Sequence, residues 1–476
     1  MNRLRAMLEG WFDMSNEVKR PAAIGRAESQ YYLRHGRGQF GQGEIVEAIA
    51  GEYQGRMIFV PGCDWHWWSG SRYQVDQYSK VHNTVYRLAA NAFREELGSK
   101  LSNAFIKGVM EIMQNDPRFR VESAFCDQNN MLLNTPSCLV DLLTGEELAA
   151  DQSHLITCLT SVSPSKSGGE VFNSFLDQVT LGDETLKSFL QVLLGSVLSG
   201  AVERHWIAFF IGSGANGKST LMDVIKWVLG DYAAQIKSET LMSQTQHSAN
   251  ANPDIMRLRG KRLVLSSEIS KSAYLDDEKV KSLTGDATIT ARNLYSGEVE
   301  FNRTHKHIVL GNNTPRTREI SNSMGRRVKV VPFNFTATIE DPDLPEKLRD
   351  EGGYILWWLI QGHVKWIEMD KTYPDCDLVT DSTRAYFEEQ PTPEQWLRQY
   401  CEYDENPLSA AAAYVSVSNA HNHYTVVWRA QGYTPLSMQQ FIKALSHIPR
   451  QKSGPTRLMG VKLKIDNPHE ALRLGT

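Results

Sequence analysis

Gly212-Ser213-Gly214-Ala215-Asn216-Gly217-Lys218-Ser219-Thr220 carries the full spacing G-x-x-x-x-G-K-[ST] between a strand-like and a helix-like stretch. Upstream, Trp206 to Ile211 is a continuous apolar run, as in a parallel-sheet strand buried on both faces. Downstream, Leu221, Val224, Ile225 and Val228 recur at helical spacing. Glycines let the backbone fold closely around phosphates, so that N–H groups and the helix N-terminus point at them. Lys218 then reaches the β- and γ-phosphates, and Ser219 offers a hydroxyl to Mg²⁺. The stretch implies an α/β fold that holds a nucleoside triphosphate.

On either side of this turn, strand-like runs alternate with helix-like ones from Trp206 to Phe335. The strand-like runs are Trp206 to Ile211, Arg262 to Ser267, His307 to Gly311 and Arg327 to Phe333. Such alternation predicts a mostly parallel sheet with helices on its faces. A helix over Gly353 to Met369 closes this domain, and a Pro-rich stretch with Asp375, Asp377 and Asp381 separates it from the C-terminal residues. Upstream of the sheet, Pro164 to Gly169 reads as a linker. Val171 to Gly200 then carries apolar residues at helical intervals, and residues 121–160 read as short strands. The first 120 residues mix helical periodicity (Val81 to Glu96, Ala104 to Met113) with an aromatic patch, Trp65-His66-Trp67-Trp68, that reads as strand and turn.

A chain of 476 residues exceeds what one core accommodates. No 18-residue apolar stretch is present, and the N-terminal residues lack the apolar region of a signal peptide; a cytoplasmic protein without membrane contact is expected. The six cysteines form no C-x-x-C pair and read as reduced thiols. A net charge of −4 gives no global case for nucleic-acid binding, but from Lys443 onward seven Lys/Arg stand against Asp466 and Glu470. That surplus suits phosphate-backbone contact as well as it suits a solvated surface. His421-Asn422-His423 and Cys63-Asp64-Trp65-His66 offer too few ligands for structural zinc, and the tryptophan cluster reads as packing.

A phosphate-binding turn alone leaves kinases, GTPases and ATPases open, so four later elements decide. Arg262 to Glu268 is a buried strand ending in a carboxylate, suited to the Mg²⁺ water network or to activating the attacking water. Lys281 to Asp286 leads into a hairpin turning at Ser296-Gly297, with Arg292, Asn293 and Tyr295 near its tip, where charge and stacking could grip nucleic acid. His307 to Pro315 is a strand ending in Asn312, placed to orient a water at the γ-phosphate. Finally, Arg326 and Arg327 open a strand and are candidates for an arginine finger supplied to a neighbouring subunit.

The order GSGANGKST, LVLSSE, KSLTGD with its hairpin, VLGNNTP and GRRVKVVPF resembles the superfamily 3 helicases of the phage, plasmid and poxvirus primase–helicase type. Asn134 to Gly145 and Phe175 to Val179 resemble the segment before the motor in that family, and Trp428 to Lys464 resembles its C-terminal winged helix. The resemblance implies an AAA+ motor in a homo-oligomeric, hexameric ring, hydrolysing ATP with Mg²⁺ to move 3′ to 5′ on single-stranded or forked DNA. It places Gly212, Ser213, Gly214, Ala215, Asn216, Gly217, Lys218, Ser219 and Thr220 on the nucleotide, and Ser219 and Glu268 on Mg²⁺. Glu268 would be the Walker B acid, Asn312 the sensor, Arg326 or Arg327 the finger, and Lys281, Arg292, Asn293 and Tyr295 the DNA grip. Ser267 stands where many members have a first acid, and the chain leaves no room for a primase domain, so a separate primase or initiator is an expected partner. The implied division is an accessory α+β region over 1–120, a pre-motor segment and helical oligomerisation collar over 121–200, the motor over 201–370 and a winged-helix-like DNA-binding domain over 371–476. Two other readings keep the nucleotide: an origin-binding initiator or remodeller without processive unwinding, and an assembly protein switched by nucleotide.

Overall fold

A computed structural model of the chain describes residues 41–95, 101–243, 253–267, 274–292, 298–317, 322–338, 341–390, 392–404, 413–431, 433, 435–451 and 456–474. By its internal contacts the chain divides into two compact units, one of residues 1–67 and 75–123 and the other of 68–74 and 124–476.

In the first unit, an antiparallel pair (Met57–Val60 with the strand from Asp64) and the helices Gln42–Tyr53, Lys80–Glu95 and Asn103–Asn115 enclose one core. Trp65 is buried there against Phe59 and Phe119, the packing role read from the sequence.

The second unit is built on five parallel strands. Helices α1 (Glu170–Val179) and α2 (Glu184–Ser196) precede β1 (Ile207–Ile211), which runs into α3 (Lys218–Leu229). Then come β2 (Ala233–Gln235), β3 (Leu263–Ser267), α4 (Asp277–Gly285), the hairpin β4–β5 (Thr288–Arg292, Glu298–Asn302), β6 (Lys306–Gly311), β7 (Val328–Pro332), α5 (Gly352–Glu368) and α6 (Asp377–Glu388). The sheet order is β7-β1-β6-β3-β2, every pairing parallel. Strands β1, β3 and β6 in the middle of the sheet are buried on both faces, which explains their apolar runs. One core packs α1, α2, α3 and α5 on one side of the sheet, and a second packs α4, the hairpin and Tyr386 of α6 on the other.

Three local features differ from the sequence reading. The helical run after Gly169 is two helices, because Leu181 and Gly182 take positive φ (54° and 72°) and the Asp183 carboxylate caps α2 on the Thr185 and Leu186 N–H groups. The Asp-rich stretch expected as a separator is helical from Asp377 and packs on edge strand β7, with Val330 N donating to Thr383 Oγ1 at 3.0 Å. Strand β2 is absent from the sequence reading, since its three residues, Ala-Ala-Gln, carry no apolar run.

Helices α2 and α5 cross at close range: a Cβ on Gly195 would meet the Gly362 carbonyl carbon at 2.4 Å. Residues 393–474 enclose a further core around Trp396, Tyr424, Trp428 and Phe441. Among the described residues no helix is long and apolar enough to cross a membrane.

Candidate nucleotide site

β1 delivers the chain to the loop 212–217, and α3 begins at Lys218. Gly214, Ala215 and Gly217 take φ of 106°, 47° and 78°, so the loop turns back on itself before the helix starts. Crowding fixes the glycines differently. A Cβ on Gly212 would lie 2.0 Å from Asn216 Nδ2 and 2.4 Å from the Phe333 carbonyl oxygen, whereas one on Gly214 would meet nothing within 4 Å. The loop is thus closed on its protein side and open on the other. Its closed side is tied to the segment after β7: Asn216 Nδ2 donates to Phe333 O at 3.2 Å, and Ala337 N donates to Ala215 O at 2.8 Å.

Lys218 is buried, and its ammonium donates to Gly212 O at 3.0 Å, Asn216 Oδ1 at 3.1 Å and Asn312 Oδ1 at 3.3 Å. All three acceptors are neutral. Burial holds the ammonium below its usual lysine value. A cation desolvated in this way, with neutral oxygens as its hydrogen-bond partners among the described residues, is suited to an incoming anion. Asn312 follows directly on β6, which lies beside β1 in register (Gly311 opposite Ile211), so parallel pairing brings Asn312 and the loop 212–217 to the same sheet end. Ser219 is exposed in the first turn of α3, and Thr220 is half-buried beside it.

The donor set fits a triphosphate: an open glycine turn at a twelve-residue helix N-terminus, with a lysine held by neutral oxygens. For Mg²⁺, the Ser219 hydroxyl is available, while Glu268 lies outside the described residues. Strand β3 that leads to it pairs with β6, Ser267 opposite Leu310, so the chain leaves β3 at that same sheet end.

The arginines sit elsewhere. Val328, the first residue of β7, pairs with Ile207, the first of β1, and Ile207 N donates to Arg327 O at 2.9 Å. Arg326 and Arg327 are therefore at the starting edge of the sheet, about one five-residue strand, or roughly 16 Å, from their own phosphate loop. Arg327 is buried and donates to Ser323 O at 2.8 Å and Ser323 Oγ at 2.6 Å. Arg326 is exposed and lines a cleft of about 680 Å³ with His205, Lys329 and Tyr373.

Lys281 is half-buried on α4. Arg292 ends β4 opposite Glu298 in the hairpin, while Asn293 and Tyr295 lie outside the described residues. In the basic C-terminal stretch, Lys464 donates to Gln399 O at 2.9 Å and Lys462 lies 3.7 Å from Glu402; both are exposed, as are Lys443, Arg450 and Arg473, while Lys452 lies outside the described residues. His423 accepts from Trp396 Nε1 at 3.0 Å and its other nitrogen sits 3.0 Å from Ile465 O; His421 Nε2 sits 2.9 Å from Leu436 O. Both rings serve packing.

Two features escape the sequence reading. Lys306, at the start of β6, is fully enclosed and donates to Ser199 O at 3.0 Å and Ala201 O at 2.6 Å; burial pushes its ammonium down to about 7. The residues just beyond Asn312, at Pro315 to Thr317, are bonded to four residues in two other segments, 275–277 and 386–390. Neither is visible in a motif, because both depend on which distant groups the fold brings alongside.

Comparison with known proteins adds two family models and several viral relatives to which the chain is similar. Residues 46–181 match the family model described as D5 N terminal like, and residues 210–327 match a family of unknown function, DUF5906. The chain is 26% identical over 313 residues to "Putative helicase L207/L206" of Acanthamoeba polyphaga mimivirus, covering 65% of this chain and 31% of that one. It is 24% identical over 324 residues to "Putative helicase 022R" of Frog virus 3 (62% and 32%), and 23% identical over 250 residues to "Putative primase C962R" of African swine fever virus (49% and 26%). The chain thus spans about a third or less of the length of these curated relatives.

Proposed function

We propose, for a chain of the D5-like superfamily 3 helicase type, that it is an ATP-hydrolysing motor acting on DNA in the replication of a virus, plasmid or other mobile element. The observation that carries this reading is the convergence of Lys218 and Asn312 at one end of a parallel sheet, joined at 3.3 Å. In the proposed reaction Lys218 leaves its neutral acceptors for the β- and γ-phosphates, where the anion outcompetes an amide and a carbonyl. Asn312, released from Lys218, orients the attacking water, and Glu268 polarises it. Bound Mg²⁺, held through Ser219 and Glu268, would neutralise phosphate charge.

The position of Arg326 supports a ring. It lies too far from its own phosphate loop to serve it, yet exposed for a neighbour, and a head-to-tail contact of this kind forms a ring when its rotation closes. We take the ring to be a hexamer moving 3′ to 5′ on single-stranded or forked DNA in the host cytoplasm, with Lys281, Arg292, Asn293 and Tyr295 as its grip. Residues 201–370 would form the AAA+ motor, 121–200 the pre-motor segment and collar, 371–476 the winged-helix-like domain and 1–120 an accessory domain. A separate primase or initiator would bring it to its origin.

The test is the ATPase rate of the full chain with and without single-stranded DNA. DNA should stimulate hydrolysis, and Lys218→Ala should lower kcat by about a hundredfold or more. Hydrolysis indifferent to DNA would instead favour a nucleotide-switched assembly protein.

A further inference from the structure

We propose that Arg316 is a positioning residue for the nucleotide site, through which the C-terminal core holds the segment carrying Asn312. The proposal rests on the reading that Lys218 and Asn312 serve ATP hydrolysis. Asn312 itself is exposed and extends beyond the end of β6. An amide meant to orient a water must be held to within about 1 Å, and something has to hold this one.

Three consecutive residues do so, starting three positions downstream. Pro315 O accepts from Tyr386 Oη at 2.8 Å, from α6. Arg316 O accepts from Leu275 N at 2.8 Å. Thr317 N donates to Gln390 Oε1 at 2.9 Å, and its hydroxyl donates to Asp277 Oδ1 at 2.6 Å, in the first turn of α4. Between these backbone ties the Arg316 guanidinium lies 4.1 Å above the Tyr433 ring, with the Tyr274 ring at 5.9 Å. Tyr433 belongs to the C-terminal core: its N–H donates to Trp428 O at 2.8 Å and its ring packs edge-on against Trp428. Guanidinium over an aromatic face is directional and partly desolvated, so it fixes an angle as well as a distance. The C-terminal core thereby acquires a role in hydrolysis separate from any contact with DNA.

The experiment measures kcat and KM for ATP, without DNA, on the full chain and on Arg316→Ala, Tyr433→Leu, Tyr433→Phe and the Arg316→Ala/Tyr433→Leu double variant, with Tm for each. Arg316→Ala and Tyr433→Leu should each lower kcat about tenfold with KM nearly unchanged, because the displaced amide matters in the transition state. Tyr433→Phe keeps the ring face and should retain the wild-type kcat. The double variant should be no worse than either single one, since both remove one interaction. Wild-type kcat in Arg316→Ala, or equal losses in the Leu and Phe variants, would overturn the proposal. Should Tyr433→Leu fail to fold, Arg316→Ala alone decides. A wild-type chain with no ATPase activity would remove the underlying reading, and this proposal with it; that outcome is distinct from variants that match an active wild type.

Discussion

Gly212 is defined by what a methyl group would do to it. A Cβ there meets the Asn216 amide and the Phe333 carbonyl, and the carbonyl, being backbone, cannot swing aside. Gly212→Ala should therefore cost about 1–3 kcal/mol of stability and abolish the thermal stabilisation that ATP gives the wild type. Thermal shifts with and without ATP check this, and an undiminished ATP shift would contradict it. Among single residues the sequence is most legible where chemistry and spacing coincide, as in Gly217-Lys218-Ser219. It is silent on Asn216 bonding to Phe333, and on Arg316 meeting Tyr433, because those partners are 117 residues apart in sequence in the first case and belong to a different core in the second. Arg326 and Arg327 look equivalent as neighbours. The fold separates them: Arg327 is held on Ser323, and Arg326 faces outward, which makes Arg326 the candidate finger.

Among the elements, β1, β3 and β6 are legible because burial on both faces writes an apolar run, and edge strand β7 because its valines mark the buried positions. The run at β6 conceals a charge. Lys306 stands at its first position, enclosed near the Arg262 and Arg303 cations and the Glu203 carboxylate, and donates to the Ser199 and Ala201 carbonyls. Burial sets its folded value at about 7 against 10.5 for an ordinary lysine. Between those values the unfolded chain binds a proton that the folded chain has released, so this group's contribution to stability improves as pH rises through that window. Below about 7 both states carry the proton, and the full penalty of a buried ammonium is present. Lys306→Met should consequently stabilise the chain most at about pH 6, with the gain shrinking toward about pH 10. Denaturant midpoints of wild type and variant across that range check it; a gain independent of pH would show that the buried charge is not its source. Helix α6 reads as a separator for the converse reason: its acids face solvent, and only Val379 and Tyr386 mark the buried side.

For the molecule as a whole, the polarity of the parallel sheet decides most. Lys218 and Asn312 stand at one end and Arg326 at the other, an arrangement that parallel pairing dictates once β1, β6 and β7 are adjacent. The sequence shows all three residues but not that strand length keeps the arginine from its own nucleotide, which requires knowing the pairing. In the proposed ring, each nucleotide site would be completed by Arg326 of the next subunit. Mixing Lys218→Ala with Arg326→Ala puts that shared site to the test. Each variant alone should be nearly inactive as an ATPase. In an equal, freely exchanging mixture, sites that combine an intact phosphate loop with an intact finger arise at about one interface in four, so about a quarter of the wild-type rate should return. A mixture no more active than the average of the two variants measured separately would contradict the shared site.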